Sequence, residues 1–242
     1  MYSQLGVMMP DTKKQRCLND LRRRILMLDI APGSDLDEVT LSKDYGLSRT
    51  PLREVLQRLA GEGFLVLEVN RGAKVASMDI DTMRTFFQTA PLIYASIGQL
   101  AAQNRTTRQL DALKDVQTAF AVAAREGDAE RAAMLNHSFH RQIGEMARNP
   151  YLMASLGRLL IDHTRLSQTF YRPGSPIDSL RVAMAVDQHE AMISALESCE
   201  PSLMTELTLR HWDLSRDRME DYVRPDPLPV DVVAFKAKRN AF

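Results

Sequence analysis

Gly46-Leu47-Ser48-Arg49-Thr50-Pro51-Leu52-Arg53-Glu54-Val55-Leu56 decides the fold. A glycine tolerates the left-handed backbone that closes a helix, so Gly46 should end a short helix over about Glu38–Tyr45, which Asp37 precedes. Leu47 is then a buried turn residue. Ser48 is the expected N-cap of the next helix, and Pro51 falls near its first turn, where a missing N–H costs little. That helix runs to about Gly61, with Leu52, Val55, Leu56 and Leu59 on one face.

Upstream, Gln15–Leu28 reads as an amphipathic helix carrying Arg22, Arg23 and Arg24, and Ala31-Pro32-Gly33 stops it. Downstream, Phe64–Val69 is β-prone, Asn70-Arg71-Gly72 is a hairpin turn, and Ala73-Lys74-Val75 returns. Helix, helix, tight turn, helix, hairpin is the order of a winged helix-turn-helix, expected over residues 12–77 after a flexible stretch at 1–11. In that fold the third helix enters the major groove of DNA. Arg49, Thr50 and Arg53 stand at its N-terminal end. Arginine pairs with guanine through two hydrogen bonds, and short hydroxyls reach bases or phosphates. Arg71 and Gly72 belong at the wing tip, near the minor groove or backbone, and Arg22 to Arg24 near phosphates.

The remainder reads as helix: about Asp79–Ala102, Thr107–Glu126, Asp128–Arg148, Pro150–Phe170, Ser179–Ser198 and Ser202–Tyr222. Gly127, Asn149-Pro150, Pro173-Gly174 and Pro201 punctuate them. The expected fold class is therefore mainly α: an N-terminal winged helix-turn-helix plus a C-terminal all-α helical bundle over 78–224. A tail at 225–242 carries Pro225, Pro227 and Pro229, which cannot continue a helix.

Composition agrees without deciding anything. The 242 residues suit two small domains, and 31 basic side chains balance 31 acidic ones. Residues 1–76 hold 12 basic and 10 acidic side chains, a small surplus of the sign a DNA reader needs. No apolar run approaches the roughly 20 residues that cross a bilayer. No basic run precedes the apolar residues of Met1–Pro10, so a signal peptide is not expected. Cys17 and Cys199 stand alone, which suits a reducing cytoplasm and gives no cysteine framework for zinc or a disulfide.

The histidines carry the chemical interest. Asn136 and His140 are four apart and share a helix face, while His189 and His211 fall among apolar neighbours on two later helices. A lone helical histidine is usually a packed or surface residue. Three imidazoles converging inside a bundle would suit a divalent transition metal.

The Gly46–Leu56 stretch, with Leu59, Glu62-Gly63, Asn70-Arg71-Gly72-Ala73 and the upstream Ala31-Pro32-Gly33, Leu36 and Glu38, resembles the winged-helix signature of the GntR family. Asn136-His137-Ser138-Phe139-His140, Ile143, Ala147, Asn149-Pro150-Tyr151-Leu152, His189–Leu196 and His211 resemble the FCD effector domain of its FadR-like branch. The resemblance implies an effector-switched homodimer, a repressor, that binds operator DNA and responds to a small carboxylate. It implies a metal set of Asn136, His140, His189 and His211, with zinc first and nickel or other metals suiting the same donors. Asn136 stands where the family has Asp, which costs the site a negative charge. The family's effector-binding Arg and later Glu fall at Ala90 and Tyr94, with Pro91 between them to bend the helix. Tyr94 and His163 are then the pocket residues, and His137 should face away. Val39 occupies the place of an Arg that contacts DNA in some members, so that contact is not carried over.

Two other classes of protein would use these residues differently. A zinc hydrolase or lyase would use His140, His189 and His211 with Glu145 or Glu190 as acid or base, but no HExxH motif, nucleophile elbow or phosphate loop is present. An effector-blind architectural DNA binder would have no need of an internal histidine cluster. The expectation is a regulator, not an enzyme.

Overall fold

The computed structural model describes residues 12–68 and 72–223, with side chains as far as residue 214 in the last helix. The N-terminal stretch 1–11, Arg71 and the tail 225–242 lie outside the described residues.

The chain builds α1 (Lys13–Leu26), β1 (Asp35–Leu36), α2 (Glu38–Tyr45), α3 (Arg49–Gly61), β2 (Leu65–Glu68) and β3 (Gly72–Val75), then α4 (Ile80–Asn104), α5 (Thr107–Glu126), α6 (Ala129–Met146), α7 (Pro150–Phe170), α8 (Pro176–Glu197) and α9 (Pro201–Val223). Side-chain oxygens start most of the helices by accepting orphan backbone N–H groups. Asp37 accepts from the N–H of Val39, Thr106 forms a capping box with Gln109, and Asn149 accepts from Tyr151 and Leu152. Gly46 closes α2 at φ 58°, as the sequence requires. Ser48 takes the N-cap backbone of α3 but makes no side-chain cap bond. α4 runs through Pro91 without interruption. α8 begins three residues before its expected start, because Ser175 caps it and Pro176 opens it.

The sheet has strand order β1-β3-β2, both pairings antiparallel. Leu67 faces Ala73 and Glu68 faces Gly72 across the wing, while Leu36 faces Ala73 on the other edge. Leu18, Leu21 and Ile25 of α1, Leu52, Val55 and Leu59 of α3, and Val75 form the core of the winged half. In the bundle α4 packs extensively on α9, and α5, α6, α7 and α8 enclose the rest. Met83, Ile97, Phe139, Leu156 and Met192 are among its core residues. Gly144 lets α6 approach α7: a Cβ there would lie 2.4 Å from Leu156 Cδ2.

Candidate functional site

α3 buries Leu52, Val55, Leu56 and Leu59 and turns Arg49, Thr50 and Arg53 outward at its N-terminal end. Arg53 keeps 66% of its side chain exposed and donates Nε–H to Glu38 Oε2 at 3.3 Å. Glu38 opens α2, and its other oxygen lies 3.9 Å from where a Cβ on Gly72 would sit. Glu38, Arg53 and Gly72 therefore line one groove between recognition helix and wing. With Nε on Glu38, the exposed guanidinium of Arg53 still has two terminal nitrogens, a fork of the kind that can match guanine O6 and N7. The sequence marked Glu38 only as part of a signature; nothing in its spacing gave it this partner. Gly72 begins β3 with φ 87°, a left-handed conformation that glycine adopts freely.

The three adjacent arginines of α1 each have partners within the chain. Arg22 makes a two-pronged pair with Glu62, Nε to Oε2 at 2.8 Å. Arg23 bridges Asp29 at 3.2 Å and Glu130 of α6 at 2.7 Å. Arg24 lies 3.4 Å from the Tyr45 hydroxyl. These contacts brace the winged half and tie it to the bundle.

Inside the bundle, α6, α8 and α9 bring His140, His189 and His211 together, with one ligand atom of each within 4.8 Å of the others. All three are buried. His189 Nδ1–H donates to Gln117 Oε1 and His211 Nδ1–H to Gln188 Oε1, each at 3.0 Å. With Nδ1 carrying the proton, each Nε2 is a bare lone pair, and the two Nε2 atoms face each other at 3.2 Å. Two facing lone pairs repel unless a cation lies between them. Zn–N bonds of about 2.0–2.1 Å in a tetrahedral set put the nitrogens about 3.3 Å apart. His140 Nε2 is also buried without a hydrogen-bond partner, and so is Asn136 Oδ1, one turn earlier on the same helix. The three converging imidazole nitrogens are a donor set that fits a divalent transition metal, and the buried Asn136 Oδ1 is an oxygen of the kind that could join them. Gln117 and Gln188 fix the ring tautomers, the usual task of partners behind metal ligands, and no sequence spacing pointed to them.

Burial holds these rings in the neutral, ligating form. It lowers His140 and His189 well below the ordinary 6.5, aided by neighbouring histidines, and His211 to about 4. Phe139 stacks on His189 with centroids 3.8 Å apart and fixes its plane.

Tyr94 adjoins the cluster. Its ring meets His140 edge-on at 5.3 Å and its hydroxyl donates to His163 Nδ1 at 2.7 Å. Burial raises the phenol well above its usual range, so it stays protonated, and lowers His163 to about 3. Ala90, at the place of the family's arginine, is fully buried one turn before Tyr94. His137 faces away from the three-histidine group, as expected: its Nδ1 meets Thr164 Oγ1 at 2.8 Å between α6 and α7. Glu145 and Glu190 are exposed, and Glu145 pairs with Arg141, so neither carboxylate reaches the cluster.

An exposed recognition helix beside a three-stranded wing, joined to a helical bundle with an internal histidine cluster, defines a DNA-binding transcription regulator. Residues 13–75 match the family described as bacterial regulatory proteins, gntR family, and residues 92–214 match the FCD domain. The chain belongs to the GntR family and carries an FCD effector-binding domain. It is 26% identical over 196 residues to the Nta operon transcriptional regulator of Aminobacter aminovorans, covering 80% of this chain and 88% of that one. It is 23% identical over 209 residues to the gluconate operon transcriptional repressor of Bacillus subtilis (strain 168), covering 85% and 84%. Among solved structures, E. coli McbR/YncC shares the fold at TM-score 0.74 and 18% identity, covering 88% of this chain and 99% of that one. No helix among the described residues is long and apolar enough to cross a membrane.

Proposed function

We propose that this regulator binds a near-palindromic operator as a homodimer and that a small-molecule effector in the bundle, beside a divalent metal, switches that binding. The exposure of Arg49, Thr50 and Arg53 at the start of α3 carries the reading, with Arg71 and Gly72 as the wing contacts. Residues 12–77 are the DNA-binding domain, and 78–224 the effector-binding and dimerisation domain. The names of relatives favour repression, and work on DNA favours the cytoplasm. His140, His189 and His211 would hold the metal, zinc first, with Asn136 as an oxygen donor. When bound, the metal supplies a Lewis-acid anchor for an effector carboxylate. Tyr94 and His163 flank that position and offer a phenol hydroxyl and an imidazole edge. Ala90 stands at the place of the family's arginine, so the carboxylate gains no guanidinium from that position of α4. Effector binding changes operator affinity to the extent that it favours one arrangement of the domains.

The test is selection of duplexes from a random pool by the purified protein, followed by titration of Arg53→Ala. One bidentate arginine contact is worth about 1–3 kcal/mol of base discrimination. Unchanged affinity and unchanged base preference in the variant would remove α3 as the reading helix.

A further inference from the structure

The histidine cluster and the winged domain share one wall, α7. From residue 161 to 168 every side chain of this helix is buried, including Asp162, His163, Thr164, Arg165, Ser167 and Gln168. A surface helix normally keeps one polar face in water. This stretch keeps none, because the bundle covers one side and the winged domain the other. Arg158, Ile161, Arg165 and Gln168 recur at helical spacing along one stripe, and that stripe meets the winged domain. Ile161 sits in its core cluster, and Gln168 Nε2 lies 3.4 Å from Met27 Sδ. Arg158 lies over Gly63, where a Cβ would come within 2.5 Å of the arginine Cδ. Arg165 donates Nη1–H to the carbonyl of Ala76 at 3.0 Å, with Asp162 Oδ1 at 3.3 Å. His163 points the other way, onto Tyr94.

A buried guanidinium contributes little net stability, since an apolar side chain of similar volume often serves as well or better. Here Nε and Nη2 are buried without a protein partner, so Arg165 is an expensive way to fill space. Its one neutral acceptor, Ala76, directly follows wing strand β3.

We propose that Arg165 is the positioning residue through which the state of the histidine cluster reaches the wing. The carbonyl it holds fixes where β3 leaves the sheet. Two residues on one helix are only about 3 Å apart along its axis, so a displacement of α7 at His163 carries Arg165 with it. Close packing converts such a small shift into a choice between discrete arrangements. The proposal rests on the reading of α3 and the wing as the operator-binding surface.

Tyr94→Phe removes the hydroxyl held by His163 and leaves the winged domain untouched. Arg165→Met removes the donors and keeps the bulk, while Arg165→Lys retains one donor for Ala76. Affinity for a selected duplex and hydrogen exchange of amides 72–79 are measured for each single variant and for Y94F combined with each Arg165 variant. Y94F should change operator Kd by about fivefold or more in the wild type, the lower end of ordinary coupling between sites. It should also change exchange at 72–79. In the R165M background both effects should shrink, the first to below about twofold, the margin within which independent sites add. R165K should fall between, and it carries the comparison if R165M does not fold. Additive behaviour, or a silent Y94F in the wild type, overturns the proposal. An Arg165-dependent exchange response in a protein whose DNA binding ignores Arg53→Ala would leave the relay standing and reject the operator reading instead.

Discussion

Acid should unfold this protein through its histidines. All five lie in the bundle, and burial drives each toward the neutral form. A base whose folded value lies below its unfolded one binds fewer protons when folded, so stability falls as pH drops through the unfolded value. The loss therefore begins near 6.5 and continues down to about 4 for His211 and about 3 for His163. At pH 5, about one and a half pH units below the unfolded value, each of these two buried rings costs about 2 kcal/mol, about 4 kcal/mol together. His140 and His189, lowered for the same first reason, add in the same direction. Asp162 opposes them: burial raises its carboxyl despite Arg158 and Arg165, so acid relieves a cost there. Domain stabilities are about 5–15 kcal/mol, so the net drop is a large fraction of the whole. Urea unfolding of chelator-treated protein at pH 7.5, 6.5, 5.5 and 5.0 measures it. Stability that is flat from pH 7 to pH 5 would show that these rings are hydrated, and the packing described around them would be wrong.

Other perturbations read other parts of the structure. His189→Ala should lower bound metal in elemental analysis, and equal content in variant and wild type would remove His189 from the ligand set. Zinc added to chelated wild-type protein should raise the melting temperature by mass action, about 2.7 kcal/mol of stabilisation at a hundred times Kd; an unmoved transition would speak against a native-state site. Glu38→Gln should weaken the aim of Arg53 and remove a negative charge from the DNA-facing groove. Base discrimination should then fall by less than the roughly 1–3 kcal/mol of one bidentate contact while binding to random duplex strengthens, and sharper discrimination would contradict the positioning role. Gly144→Val should overpack the α6–α7 contact against Leu156 and cost about 1–3 kcal/mol by chemical denaturation. A neutral result would mean that the two helices separate freely.

Much of this was legible because local chemistry decides it. Gly46 ends one helix and Pro51 fits the first turn of the next regardless of what surrounds them, so the helix-turn-helix could be read from eleven residues. The four-residue step from Asn136 to His140 fixed their common face. What escaped depends on partners distant in sequence. β1 is two residues long and exists only because β3 offers it an edge. Ser175 caps α8 just after a Pro-Gly pair that reads as loop. The partners of Arg22, Arg23 and Arg24, namely Glu62, Asp29, Glu130 and Tyr45, come from elsewhere in the fold and could not be read from the arginine cluster itself. Gln117 and Gln188 support the histidines from positions whose spacing carries no signal, and the Thr164 partner of His137 lies on another helix.

The shared wall also governs how the protein can be taken apart. Cutting the chain between the wing and α4 would follow the sequence but not the packing. The bundle alone would present Ile161, Arg165 and Gln168 to water, and the winged half would lose Ile161 from its core. The two halves should therefore melt in a single cooperative step rather than in turn. A chimera that borrows a reading head from a relative will work only if it brings a surface that fits the stripe on α7.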